Sequence, residues 1–155
     1  PTETVDLLGF EAAYVDGPLT LSAEYTQASL DGDSGSTSDP DFSAYYVQAG
    51  WFLTGESRGY RKAQGIFDTR KPTDNAFGEK GGIGAWEIAT RLSSLDLEDD
   101  GIDGGTLDDL TFGVNWYLNP NTRLMVDYIL ADLDPAGGGG SGDTNILAFR
   151  WQFAF

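Results

Sequence analysis

The chain has 155 residues, a formal charge of −16, 21 glycines, 13% aromatic residues and neither Cys nor His. Without Cys or His there is no disulfide framework, no thiolate, no zinc site of the usual kind and no Ser-His-Asp or Cys-His catalysis, which leaves only carboxylate chemistry open; acid pairs such as Asp99 and Asp100 have no recognisable catalytic partner, and no enzyme is expected. The acidity argues against nucleic acid as a partner. No run approaches the ~18 apolar residues of a transmembrane helix.

The dominant pattern is period-two alternation broken by turn signals, and it predicts seven strands. They fall at about 4–15, 18–30, 42–53, 82–97, 107–118, 122–133 and 144–155. The first two are joined by Asp16-Gly17-Pro18, a tight turn of suitable residue types. Strand 42–53 sets Tyr45, Val47, Ala49, Trp51 and Leu53 against Ala44, Gln48 and Gly50. Strand 107–118 sets Leu110, Phe112, Val114, Trp116 and Leu118 against Thr111, Gly113, Asn115 and Tyr117. After Asn119-Pro120-Asn121, strand 122–133 opposes Leu124, Val126, Tyr128 and Leu130 to Arg123, Met125 and Asp127. The last strand carries Leu147, Phe149, Trp151, Phe153 and Phe155 on one face and Ala148, Arg150, Gln152 and Ala154 on the other.

Each strand is longer than the ~5–6 residues usual in globular sheets and suits a tilted bilayer crossing. Tight turns alternate with longer polar loops expected at 31–41, 98–106 and 134–143, as in outer-membrane barrels. Aromatic residues gather near strand ends, at Tyr14, Trp51, Phe52, Trp116, Tyr117, Phe153 and Phe155, which fits a membrane-interface girdle better than a sandwich core. The expected fold is therefore all-β: an antiparallel transmembrane β-barrel in the bacterial outer membrane, a single partial barrel domain over 1–155. Seven strands would leave two unpaired edges in lipid, at several kcal/mol per unsatisfied group, so either a further strand lies within 56–70 or, the preferred reading, these are C-terminal strands of a larger barrel whose remaining strands come from elsewhere.

With Phe155 at the periplasmic side, the acidic loops face outward. They hold Asp31, Asp33, Asp39 and Asp41, then Glu98, Asp99, Asp100 and Asp103, then Asp134 and Asp143. Such carboxylates solvate the loops, or bridge through divalent cations to an anionic lipid surface such as lipopolysaccharide. Asp99, Asp100 and Asp103 come nearest to a metal site, but the segment lacks the spacing and bidentate Glu of an EF-hand, and no cofactor is assigned. One connection departs from the pattern. Residues 54–81 fall where a short periplasmic turn belongs and hold Arg58, Arg61, Lys62, Arg70, Lys71 and Lys80, six of the nine cations. The other three, Arg91, Arg123 and Arg150, fall on the lumenal face. Cations at a constriction concentrate anions. The strand arginines can equally brace the wall by pairing with Glu11, Glu24, Glu87 or Asp127.

Thr54-Gly-Glu-Ser-Arg-Gly-Tyr60, Gly65-Ile-Phe67, Pro72 and Gly84-Ala-Trp-Glu-Ile-Ala-Thr-Arg-Leu-Ser-Ser-Leu-Asp-Leu97 resemble the C-terminal half of the phosphate-selective porin O/P family. So do the hairpin Leu110–Tyr128 and the closing segment Leu147–Phe155, while 1–41 match only as generic barrel strands. The resemblance implies a sixteen-stranded homotrimeric porin that passes small anions, phosphate or polyphosphate among them. In that family a periplasmic connection contributes to the constriction, a role that would fall here to Arg58, Arg61, Lys62, Arg70 and Lys71. The alternative function is a non-transporting outer-membrane barrel whose acidic surface loops bind cations or partners.

Overall fold

The computed structural model describes residues 2–32, 39–68, 71–79, 81–99, 101–135, 140 and 142–155. Seven long strands form one antiparallel sheet: β1 Thr2–Asp16, β2 Leu19–Gly32, β3 Asp41–Phe52, β6 Ala85–Asp99, β7 Ile102–Asn119, β8 Thr122–Asp134 and β9 Gly142–Phe153. Two further strands, β4 Tyr60–Arg61 and β5 Ile66–Phe67, make a small hairpin of their own inside the long connection. The sheet order is β1-β2-β3-β6-β7-β8-β9, so every neighbour in the sheet is also the next long strand in sequence. This is the up-and-down meander of a barrel wall. It is open, with β1 and β9 at its edges. Among the described residues there is no helix.

The seven expected strands are present, within a few residues of their expected limits. The loop expected at 98–106 is not. β6 runs to Asp99 and β7 begins at Ile102, which pairs directly with Asp99. Gly101 and Gly105 take φ of 80° and 82°, and the pairing slips by one residue between Asp96 and Glu98. The Asp, Glu and Gly residues here look like loop composition, but the glycines let a tight turn and a bulge continue the ladder. At 18 residues, β7 exceeds the ~9–11 that a tilted strand needs to cross the hydrocarbon, so this hairpin stands beyond the apolar belt.

Register fixes which side chains share a face. Trp51 pairs with Ile88, Ile88 with Val114, Val114 with Val126 and Val126 with Phe149, giving one apolar, exposed outer face. The opposite, inner face carries Gln48, Arg91 and Thr111 in one row, and Glu87 and Asn115 in another. Thr20, Phe52, Ala85, Glu87, Asn115 and Tyr117 are buried, and all six lie on the inner face. A soluble protein does the reverse, hiding its Leu, Val and Trp side chains. An outer face this apolar needs a lipid solvent.

Phe52 and Tyr117 were expected in the interfacial girdle, and the structure puts them elsewhere. Phe52 pairs with Glu87 and Tyr117 with Arg123, so both rings point to the inner face, where they are 2% and 5% exposed and 5.8 Å apart. Their neighbours Trp51 and Trp116 keep the outer positions. Two consecutive aromatic residues on a strand cannot share a face.

A candidate anion-conducting inner wall

Within 53–84, residues 58–68 pack on the inner face of the sheet at its turn end, and Phe77 and Ile83 meet Trp116 on the outer face. The hairpin β4–β5 closes on Arg61, whose carbonyl accepts from the amides of Gln64 and Gly65, both at 3.0 Å, with Gly65 at φ 65°. The Arg61 guanidinium pairs with Asp68 at 2.5 Å, and the charge and hydrogen bond of Asp68 raise the Arg61 pKa further. Arg58 lies over the Phe67 ring at 3.7 Å, and Tyr60 meets Phe67 edge-on at 5.1 Å. This hairpin lies over the inner face. Arg58, Tyr60, Ile66 and Phe67 share a cavity with Glu11, Ala13, Ser22 and Tyr46, and Asp68 lines a second one with Tyr117, Arg123 and Gln152.

The hairpin is tied down by Glu56. Its carboxylate accepts from the Thr54 hydroxyl and from the Thr73 amide at 3.2 Å, while the Thr54 oxygen also accepts from the Trp86 amide at 3.0 Å. Partial burial pushes the Glu56 pKa up, but the Thr54 and Thr73 hydrogen bonds outweigh it and hold the group below its ordinary value.

Behind the hairpin, the inner wall is braced by a neutral-to-charged relay. Glu87 is 2% exposed and accepts from Tyr117 Oη at 2.8 Å and Asn115 Nδ2 at 3.0 Å. Gly50 makes room for it, because a Cβ there would sit 2.8 Å from Glu87 Oε1. Arg123 donates to Tyr117 Oη at 3.2 Å and to Gln152 Oε1 at 2.7 Å. Arg91 stacks on Tyr46, with its guanidinium carbon 3.9 Å from the ring centroid.

The expected cations divide as follows. Arg58, Arg61 and Lys62 sit on the inward-folded hairpin, and Lys71 is exposed in the stretch after it. Arg70 and Lys80 lie outside the described residues. Arg91, Arg123 and Arg150 are on the inner face, Arg150 opposite Met125. The structure does not bear out their pairing with Glu11, Glu24, Glu87 or Asp127. Among the described residues Arg61 pairs with Asp68, whereas Arg91 and Arg123 use rings, a hydroxyl and an amide instead. Sequence reasoning missed Tyr46, Tyr117 and Gln152 as their holders. The signal was in the register, since Tyr117, Arg123 and Gln152 form one cross-strand row.

At the loop end, Asp99 accepts the Asp41 amide at 2.7 Å, and Asp103 is exposed. Asp100 lies outside the described residues. No group of three or more potential metal-binding side chains comes together among the described residues.

The family model for "Phosphate-selective porin O and P" matches residues 2–155, so the likeness extends over 2–41 as well. Porin O of Pseudomonas aeruginosa is 32% identical over 157 residues, covering 95% of this chain and 34% of that protein. An uncharacterized protein of Caulobacter vibrioides is 33% identical over 160 residues, covering 100% of this chain and 31% of that protein. The chain thus spans about a third of the length of the curated relatives it matches.

Proposed function

The chain belongs to the phosphate-selective porin O and P family, and from that premise we propose that it forms wall and constriction of an outer-membrane channel for small anions. The reading includes closure of the open sheet by further strands, a homotrimeric assembly and a surround of outer-membrane lipid and lipopolysaccharide. It assigns no enzymatic step and no cofactor.

One observation carries the anion preference. The inner-face guanidinium groups of Arg91, Arg123 and Arg150 have no carboxylate within 4.0 Å among the described residues, while a basic hairpin covers the same face. A guanidinium held by a ring or a hydroxyl keeps its full charge for an ion in transit, whereas one paired to a carboxylate does not. Its planar fork also matches phosphate oxygens, which makes phosphate and polyphosphate the favoured solutes. Arg58, Lys62 and Lys71 would act at the turn-side mouth and Arg91, Arg123 and Arg150 along the wall, while Arg61, spent on Asp68, would fix the hairpin.

The test is the reversal potential of the protein in planar bilayers under a salt gradient, with phosphate added as a blocker of chloride current. Anion selectivity is expected, weakened about threefold or more by Arg91→Gln with Arg123→Gln. Cation selectivity would leave a porin without this preference. A folded protein with no conductance would favour a closed barrel whose acidic loops bind cations or partners.

A further inference from the structure

The second half of the long connection does something that the channel reading leaves unused. From Thr73 onward the chain leaves the inner side and packs on the outer face, at the turn end of β6 and β7. The Ala76 amide donates to the Leu118 carbonyl at 2.7 Å, and a tight loop closes through Phe77 N to Gly82 O at 3.2 Å. Phe77 lies edge-on to Trp116 at 5.9 Å, and Trp116 stacks on Trp86 at 4.9 Å. Both tryptophans are outer-face residues, paired with each other across β6 and β7.

Two features distinguish this loop from a solvated turn. Its apolar side chains are turned away from the protein, Phe77 being 82% exposed and Ile83 65%. Phe77 also has φ 58°, among the described residues a non-glycine position in the left-handed region. A turn in water would place Gly or Asn there, since a bulky residue is strained. Meanwhile the loop takes up the polar edges of the tryptophans. Ile83 O accepts from Trp116 Nε1 at 2.7 Å and from Trp86 Nε1 at 3.3 Å. Gly84 permits this contact, at φ 72° with a position where a Cβ would lie 2.4 Å from Tyr117 O.

We propose that residues 76–79 and 81–84 form a lipid-docking tab, in which Phe77 and Ile83 insert at the headgroup–acyl boundary of the phospholipid leaflet on the turn side. The tab continues the apolar outer face without a break, through Trp86 and Trp116 to Ile88 and Val114. It belongs at the boundary, not in the hydrocarbon, because a loop leaves backbone groups that need water or headgroup partners. The exposed carboxylates of Asp74, just before it, and Glu79, within it, suit the same polar level. One connection would thus serve two purposes, its first half narrowing the inner side and its second half fixing the rim in the leaflet.

The inference rests on the bilayer reading but not on anion selectivity. The chain has no Cys, so single substitutions Phe77→Cys, Ile83→Cys, Lys62→Cys and Phe149→Cys can each carry an environment-sensitive fluorophore. The protein is reconstituted in phosphatidylcholine vesicles, and each variant's folding is checked by heat-modifiable gel mobility. The probes are nitroxide lipids labelled near the headgroup or near the bilayer centre, and aqueous iodide. At positions 77 and 83 the shallow nitroxide should quench about threefold more than the deep one, with little effect of iodide. Position 149 should respond to lipid, and 62 to iodide alone. Iodide quenching at 77 and 83 equal to that at 62 overturns the proposal. So does protection from every quencher while 149 still reports lipid, which would mean a neighbouring protein covers the tab. If 149 also fails to report lipid, the bilayer reading falls and the tab with it. Ile83→Cys keeps Phe77 intact, so a disturbed fold in one variant leaves the other decisive.

Discussion

Glu56 is the side chain on which the long connection turns. Its carboxylate holds Thr54 and the Thr73 amide at once, and Thr54 in turn holds the first residues of β6. Because its pKa in the folded protein lies below the ordinary value of 4.5, it contributes stability above that value. That contribution is lost as pH falls through the lower, folded value. Protection of the amides of residues 54–73, taken relative to the intrinsic exchange rate at each pH, should therefore fall on the acid side of 4.5 and hold through neutrality. Glu56→Gln should exchange faster at neutral pH and lose the acid-dependent step. An unchanged profile in the variant would mean the connection is held by the hairpin alone. Glu56 lay in plain view within Gly55-Glu-Ser-Arg58, yet its partners could not be read from sequence. Thr73 is 17 residues away, and only the path of the intervening hairpin brings its amide within 3.2 Å.

Elements were far more legible than contacts, because a strand's two faces follow from period two alone. The alternation Leu147, Phe149, Trp151, Phe153 identifies an outer face whatever lies beside it, and the register confirms it strand by strand. What misled was composition at the loop end, where charged and glycine residues continue the β6–β7 ladder. The same ladder produces an unfavourable row that alternation could not reveal. Asp108 pairs with Asp132 and Asp132 with Asp143, three exposed carboxylates side by side above the apolar belt of β7, β8 and β9. Like charges directly opposite each other destabilise a sheet, each pair by roughly 0.2–1 kcal/mol. Asp132 takes part in both pairs, so Asp132→Asn should stabilise the folded protein by up to about 2 kcal/mol at low salt. The gain should fade in high salt through screening, and in millimolar magnesium if divalent cations bridge these carboxylates. Unfolding midpoints in detergent under the three conditions measure it. A destabilised variant would show that the row is already neutralised in the native protein.

At the scale of the whole molecule, the charges are sorted along the strands. Carboxylates crowd the loop end, at Asp31, Asp41, Glu98, Asp99, Asp103 and Asp134, whereas Arg58, Arg61, Lys62 and Lys71 gather at the turn end, with Arg91 along the wall between. This polarity resolves the apparent conflict between a formal charge of −16 and a path for anions, because reach depends on salt. The screening length is about 30 Å at 0.01 M and about 3 Å at 1 M, so rim carboxylates act on a passing ion only when salt is low. On the proposed reading, wall arginines would lie next to the ion and between low-dielectric strands, where screening does least. Neutralising the exposed rim with Glu98→Gln, Asp103→Asn and Asp134→Asn should therefore raise anion conductance about twofold near 0.01 M and leave it unchanged at 1 M. Arg91→Gln should lower it at both. Single-channel currents at the two salt concentrations separate the classes, and a rim effect that persists at 1 M would place those acids inside the conduction path. The β6–β7 hairpin, which bears Glu98 and Asp103 opposite each other, would then have to lean over the pore instead of standing above the bilayer.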